Sequence, residues 1–276
     1  MGTTDDGHRE VFGIDLPAFA TVRRAGFYAA VLGALAVYAV LAGEMLAFVV
    51  SGWFVEPGPH HFHDLVTFGL IWMGILGLVV QLYRPERRVN AVLASVFVMV
   101  PLGVIAASTG SPIAMMPILF GTLGLLVVAL HPAGRSLLRL ERGVPGTRAV
   151  GALLAAGTLP LLLYAGGQLV EQYTVADDHA LLVHYGGVAT AVWFVLAMGT
   201  LAVFRTRDRR FAAWSAGLFA AYVGLASTVY PGQPSSPGPL WGGLAVAWGL
   251  ALVVAFELTR EREPESSGER EPESSG

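Results

Sequence analysis

The chain has 276 residues, 54% hydrophobic and 13% charged, with a mean hydropathy of +0.61; a water-soluble globule carries about 25% charged residues. Half the usual charge, at a net of -3, excludes a soluble enzyme domain, a disordered regulator and a nucleic-acid binder, which needs a basic face. The absence of cysteine excludes a disulfide framework and a thiolate metal site, and the solvent that remains is the lipid bilayer.

Residues 1–24 carry Asp5, Asp6, Glu10 and Asp15 with Arg9, Arg23 and Arg24, and no short apolar stretch with a small-residue cleavage pattern, so they read as a cytoplasmic segment ahead of a retained first span. A helix needs about 20 apolar residues to cross about 30 Å of hydrocarbon, so stretches free of Asp, Glu, Lys and Arg delimit the spans. The first is 25–50, interrupted at Glu44, and the second is 64–83. The gap 89–134 holds two spans, 89–108 and 113–131, separated by Ser108-Thr109-Gly110-Ser111-Pro112. After a linker at 132–148 come 149–171 and 181–204. The gap 211–256, which matches 89–134 in length, divides at the loop Pro231–Pro239 into 211–229 and 240–258. Residues 259–276 end in the octet EREPESSG twice over, a composition that buries no core and predicts a solvated, disordered acidic tail. The expected fold is an all-α polytopic membrane protein of eight transmembrane helices.

All 17 basic residues are arginines, and every one falls before the first span, between spans two and three, four and five, or six and seven, or after the eighth. The positive-inside rule then places both termini in the cytoplasm and the protein in the cell membrane as a multi-pass chain. The expected partners are the bilayer and a second copy of the chain, with no nucleic acid.

The halves 25–131 and 149–258 read as copies. An offset of 124 lays Arg24 on Arg148, Gly43 on Gly167 and Glu44 on Gln168; an offset of 121 lays His63 on His184, Trp72 on Trp193, Arg84 on Arg205 and Arg88 on Arg209. Four spans per unit is an even number, so the two four-helix repeats enter the membrane in the same direction, related by an approximate two-fold axis along its normal.

At 1.5 Å of rise per residue the arginines act as a depth ruler. Glu44 and Gln168 lie 20 residues beyond Arg24 and Arg148, and His63 and His184 lie 21 before Arg84 and Arg205, so all four share a height about 30 Å from the cytoplasmic boundary. His60, His61, Asp64 and His179 stand in or beside the outer loops at that height. Neutral imidazole is the commonest nitrogen ligand, so His60, His61, His63, Asp64, His179 and His184 are candidate transition-metal ligands. His63 and His184, with Glu44 and Gln168, are the candidate cofactor site, since a symmetric histidine pair suits the two axial positions of a haem. Interfacial polar residues that merely start helices and face water explain the same positions. HHFHD lacks the spacing of a hydrolytic zinc helix.

No carboxylate falls near mid-membrane, as an ion-coupled carrier requires, and no nucleotide or nucleophile motif occurs in the loops. Two parallel four-helix halves with histidines resemble the architecture of the haem A synthases; one repeat-related histidine per half, rather than a pair, means that no site residue carries over. The leading expectation is an integral membrane protein of unassigned activity with an outward His/acid pocket for metal or haem. A bis-His haem redox protein and a permease for a small uncharged solute are the alternatives.

Overall fold

The computed structural model describes residues 16–140, 147–205 and 207–261. The expected acidic tail beyond Glu261, most of the N-terminal segment with its Asp and Glu residues, and the loop that holds Arg142 lie outside the described residues. Among the described residues there are helices and turns but no strands.

The helices in chain order are α1 (Leu16–Ser51), α2 (His61–Val80), α3 (Val89–Ser108), α4 (Met115–Leu130), α5 (Arg148–Thr174), the single turn α6 (Asp178–Leu181), α7 (His184–Phe204), α8 (Arg209–Val229) and α9 (Gly238–Glu261). Seven of them, all but α4 and α6, are long and apolar enough to cross a membrane. α4 has 16 residues where the sequence predicts 19, giving about 24 Å of rise, short of the hydrocarbon thickness. Both of its ends have local causes. After Pro112 the chain runs in tight i to i+3 turns, Ala114 to Ser111 and Met116 to Ile113. At the other end Pro132 forces its predecessor out of the helical region, and His131 sits at φ -58, ψ 132.

α1 begins nine residues before the expected start, so Arg23 and Arg24 belong to the helix rather than to a preceding segment. Arg23 donates to the carbonyl of His131 at 2.6 Å and Arg24 pairs with Glu86 at 3.2 Å, so both guanidiniums are engaged beside the chain ends they flank.

The helices α2, α3, α7 and α8 pack on one another at the centre, and more than half of the most apolar stretch of each is buried. α1 lies against α2 and α4, while α5 lies against α7 and α9, and fewer than a quarter of the residues in the apolar stretches of α1, α5 and α9 are buried. Their outer faces carry Val40, Leu159, Leu163 and Val254, more than half exposed, an apolar surface that water does not tolerate and lipid does. α8 and α9 approach closely along their length. A Cβ on Gly224 would meet the Gly242 carbonyl oxygen at 2.5 Å, and one on Gly217 would meet that of Gly249 at the same distance, so small residues set this contact. Trp72 is partly buried and donates its indole N–H to the Leu46 carbonyl at 2.9 Å, whereas Trp193 is 46% exposed.

At the end of the bundle that carries the arginines, buried polar groups close the gaps between helices. The His131 ring accepts from the Ala133 backbone N–H on Nδ1 at 3.1 Å, so its proton is on Nε2, which donates to Gln81 Oε1 at 3.1 Å; the Gln81 amide in turn donates to the Arg88 carbonyl at 2.9 Å. Asp208, at φ 53, accepts from the backbone N–H groups of Asn90 and Ala91 on one carboxylate oxygen, at 3.1 and 3.0 Å, and thereby caps α3, whose own preceding residue Arg88 supplies no side-chain cap.

Candidate functional site

Three loops and the first turns of two helices meet at the other end of the bundle. The chain leaving α1 passes through Glu56-Pro57-Gly58-Pro59 and starts α2 with backbone bonds from His61 to Gly58 and from Asp64 to His60. Leaving α5, it makes the single turn α6, capped by Asp177 Oδ1 accepting from the Ala180 N–H at 2.8 Å, and enters α7 through Val183, held at φ 60. The third loop, Tyr230–Pro237, covers this end from α8.

The register of α2 sorts its polar residues. At about 100° of rotation per residue, positions 60, 63 and 64 share one face and position 61 points away from it. His61 accordingly sits against Phe48 and Tyr230, with ring centroids 5.4 and 4.6 Å apart, and among the described residues is not in ring contact with another histidine. His60, His63, His179 and His184 come together: His60 lies 4.5 Å from His179 and 4.8 Å from His184 between centroids, and His63 lies 4.9 and 5.1 Å from the same two. His60, His179 and His184 each offer a ring nitrogen such that the three atoms lie within 4.8 Å of one another.

Carboxylates flank this group. Asp64 Oδ1 is 3.7 Å from His184 Nε2, and Asp177 Oδ2 is 3.3 Å from His179 Nδ1. The Tyr185 hydroxyl donates to the same Asp177 oxygen at 2.9 Å. Slight burial raises the Asp177 carboxyl, but the donors from Ala180, Tyr185 and His179 outweigh it and hold the group below its ordinary value, as a carboxylate. His63 is fully buried, and its Nε2 is 2.8 Å from Ser235 Oγ, in the third loop. Ser235 has φ 63 and its carbonyl accepts from the Tyr164 hydroxyl at 2.5 Å, which anchors the loop over the ring. Buried ring nitrogens without a hydrogen-bond partner remain on His60 (Nδ1), His63 (Nδ1) and His184 (Nδ1), and on His61 (Nε2) outside the cluster.

Of the other candidates, Glu44 is exposed on α1, and Gln168 is buried and donates its amide to Glu171 Oε2 at 2.9 Å. Among the described residues neither is joined to the imidazoles by a hydrogen bond. Ser235 and Pro59, which touch His63 and His179, carry no ligand signal in the sequence; they sit in segments legible only as turns.

The cluster can do what convergent imidazoles do in a site shielded from bulk water: hold a borderline-soft divalent ion, with carboxylates fixing the rings. No family model, curated protein or solved structure matches the chain.

Proposed function

We propose that the chain is a multi-pass protein of the cell membrane that binds a first-row divalent transition metal at its outward end through His60, His179 and His184. The single observation that carries the reading is the convergence of those three ring nitrogens within 4.8 Å. Zinc–nitrogen bonds of about 2.0–2.1 Å in a tetrahedron set nitrogens about 3.3–3.4 Å apart, so loading closes the rings by small side-chain rotations. Imidazole donors without a thiolate or thioether favour zinc, cobalt, nickel or copper(II) over copper(I), and over the hard ions calcium and magnesium.

Haem is the weaker reading. Axial imidazoles meet the iron end-on from opposite faces of the macrocycle, whereas His63 and His184 stack 15° from parallel at 5.1 Å, and the Nε2 of His63 is engaged by Ser235.

Eight spans in two parallel repeats support an outward site, and three observations favour that arrangement. The offset of 121 carries 89–108 onto 210–229, the extent of α8 less one residue. The neighbours repeat: α1 on α2 and α4 matches α5 on α7 and α9, and the cross contacts α3 to α7 and α2 to α8 exchange under the same correspondence. The contacts of Arg23, Arg24, Arg88 and Arg205 lie among one another's chain ends, and none is with His60, His63, His179 or His184.

The test is metal content and affinity of the purified chain in detergent. Stoichiometric zinc in the wild type, lost in His60→Ala, His179→Ala and His184→Ala while folding is retained, is the expected result; a wild type that takes up none of zinc, cobalt, nickel or copper(II) refutes it. Topology is checked separately, since the chain has no cysteine of its own. Gly58→Cys and Gly232→Cys react with an impermeant maleimide on intact cells, and Arg207→Cys only after permeabilisation. Labelling of position 207 from outside overturns the orientation.

A further inference from the structure

The ring nitrogens of the three ligands are not equivalent, and the difference defines the coordination shell. His184 turns Nε2 toward Asp64 and leaves Nδ1 buried without a partner. His179 turns Nδ1 toward Asp177, which leaves Nε2, now 3.2 Å from the Pro59 carbonyl oxygen. His60 keeps Nδ1 buried without a partner. A metal-bound imidazole gives one nitrogen to the ion and donates the N–H of the other to a carboxylate or carbonyl, which fixes its tautomer. The nitrogen that faces a carboxylate is therefore not the one that faces the ion.

From this, and resting on the metal reading above, we infer that the ion is held by His60 Nδ1, His184 Nδ1 and His179 Nε2 alone, with Asp64 and Asp177 behind the rings and a fourth coordination position left for an exchangeable water or small monoanion. Asp177 is committed to its place. One oxygen caps α6 through Ala180, and the other receives the Tyr185 hydroxyl as well as the His179 ring. Asp64 has its backbone N–H in the first turn of α2, and its carboxylate lies 3.7 Å from His184 Nε2. The Pro59 carbonyl yields to the ion at His179 Nε2 on loading. Three imidazoles with an open fourth position form the donor pattern that admits an outside ligand, whereas a fourth protein donor makes a closed, purely structural site.

Cobalt(II) reports the difference, because its visible ligand-field bands respond to every change in the inner shell. The full chain in detergent is titrated with cobalt(II), and azide is then added. Tetrahedral-type bands that shift on azide addition are expected in the wild type. Asp64→Asn and Asp177→Asn should keep both the bands and the azide response while binding cobalt about 10–100-fold more weakly, the loss typical of a supporting contact. Bands that ignore saturating azide overturn the open position and leave the metal reading standing. Asp64→Asn that alters the wild-type ligand field in the absence of azide makes Asp64 a ligand and overturns the assignment. A wild type with no cobalt bands at all removes the metal reading, and this inference with it. The azide experiment on the wild type needs no substitution, so a variant that fails to fold does not spare the proposal.

Discussion

The imidazoles of His63 and His184, 121 residues apart in the chain, lie face to face with centroids 5.1 Å apart and planes 15° from parallel. The two rings nonetheless have different surroundings. His184 has its Nε2 beside Asp64, and His63 has its Nε2 on Ser235 and its Nδ1 without a hydrogen-bond partner. His63→Ala is therefore expected to weaken zinc binding by no more than about 10–100-fold, the range for a supporting group. His184→Ala should abolish stoichiometric binding. Competition against a fluorescent zinc chelator measures both.

Ser235 combines a hydrogen bond to a buried ring with a left-handed backbone. Ser235→Ala removes the hydroxyl, leaves His63 Nε2 unpartnered and keeps φ at 63, and should cost about 1–3 kcal/mol. Ser235→Gly loses the same hydrogen bond but is at ease with positive φ, which is worth about 1–2 kcal/mol to the backbone. Glycine should therefore be the milder of the two in thermal unfolding; the reverse order would show that the loop backbone carries no strain.

The Asp208 side chain is nearly fully buried, and burial first, against the opposing pull of Ala91, Arg88 and Asn90, pushes its carboxyl up to about 6. A raised value means that the negative charge is a cost above that pH, and that the capping oxygen supplies the stabilisation. Asp208→Asn, which keeps an acceptor for the α3 amides, should unfold close to the wild type at neutral pH. Asp208→Ala should lose about 0.5–2 kcal/mol, the usual worth of a helix cap, by thermal denaturation in detergent.

His131 carries the opposite pH signature. Burial, aided by Arg23 and opposed by Glu86, lowers its ring to about 4 from an ordinary 6.5. The unfolded chain therefore takes up a proton that the folded one refuses between those two values. Stability attributable to this ring is flat above 6.5 and falls as the pH drops toward 4. Comparing melting between about pH 7.5 and 4.5, the wild type should lose more than His131→Gln, which has no titrating ring. Parallel curves would refute the assignment.

Helix ends set by charge were legible in the sequence. The stretch 89–108 is α3 residue for residue, because Arg88 and the Ser-Thr-Gly-Ser-Pro run bound it on both sides. The start of α1 was not legible, since an arginine inside a helix looks the same in one dimension as an arginine before it; the helix begins at Leu16, and Arg23 and Arg24 reach His131 and Glu86 from within it. The arginine ruler set His63 and His184 at one level with Glu44 and Gln168, and the rings of His63 and His184 lie 5.1 Å apart. Azimuth separates His60, His63 and Asp64 from His61 by simple rotation about α2. Glu44, expected at the same level, is exposed on α1. The tie between Ser235 and His63 spans 172 residues and has no local signature, because it depends on how the third loop is draped rather than on any spacing.

The cap on α3 also orders events at the ribosome. The amides of Asn90 and Ala91 find their acceptor 118 and 117 residues later in the chain, a delay of about 6–24 s at the usual pace of translation. Until Asp208 emerges, the newly made leading helices keep those amides on water, and their packing is a provisional assembly that the trailing half arrives to lock.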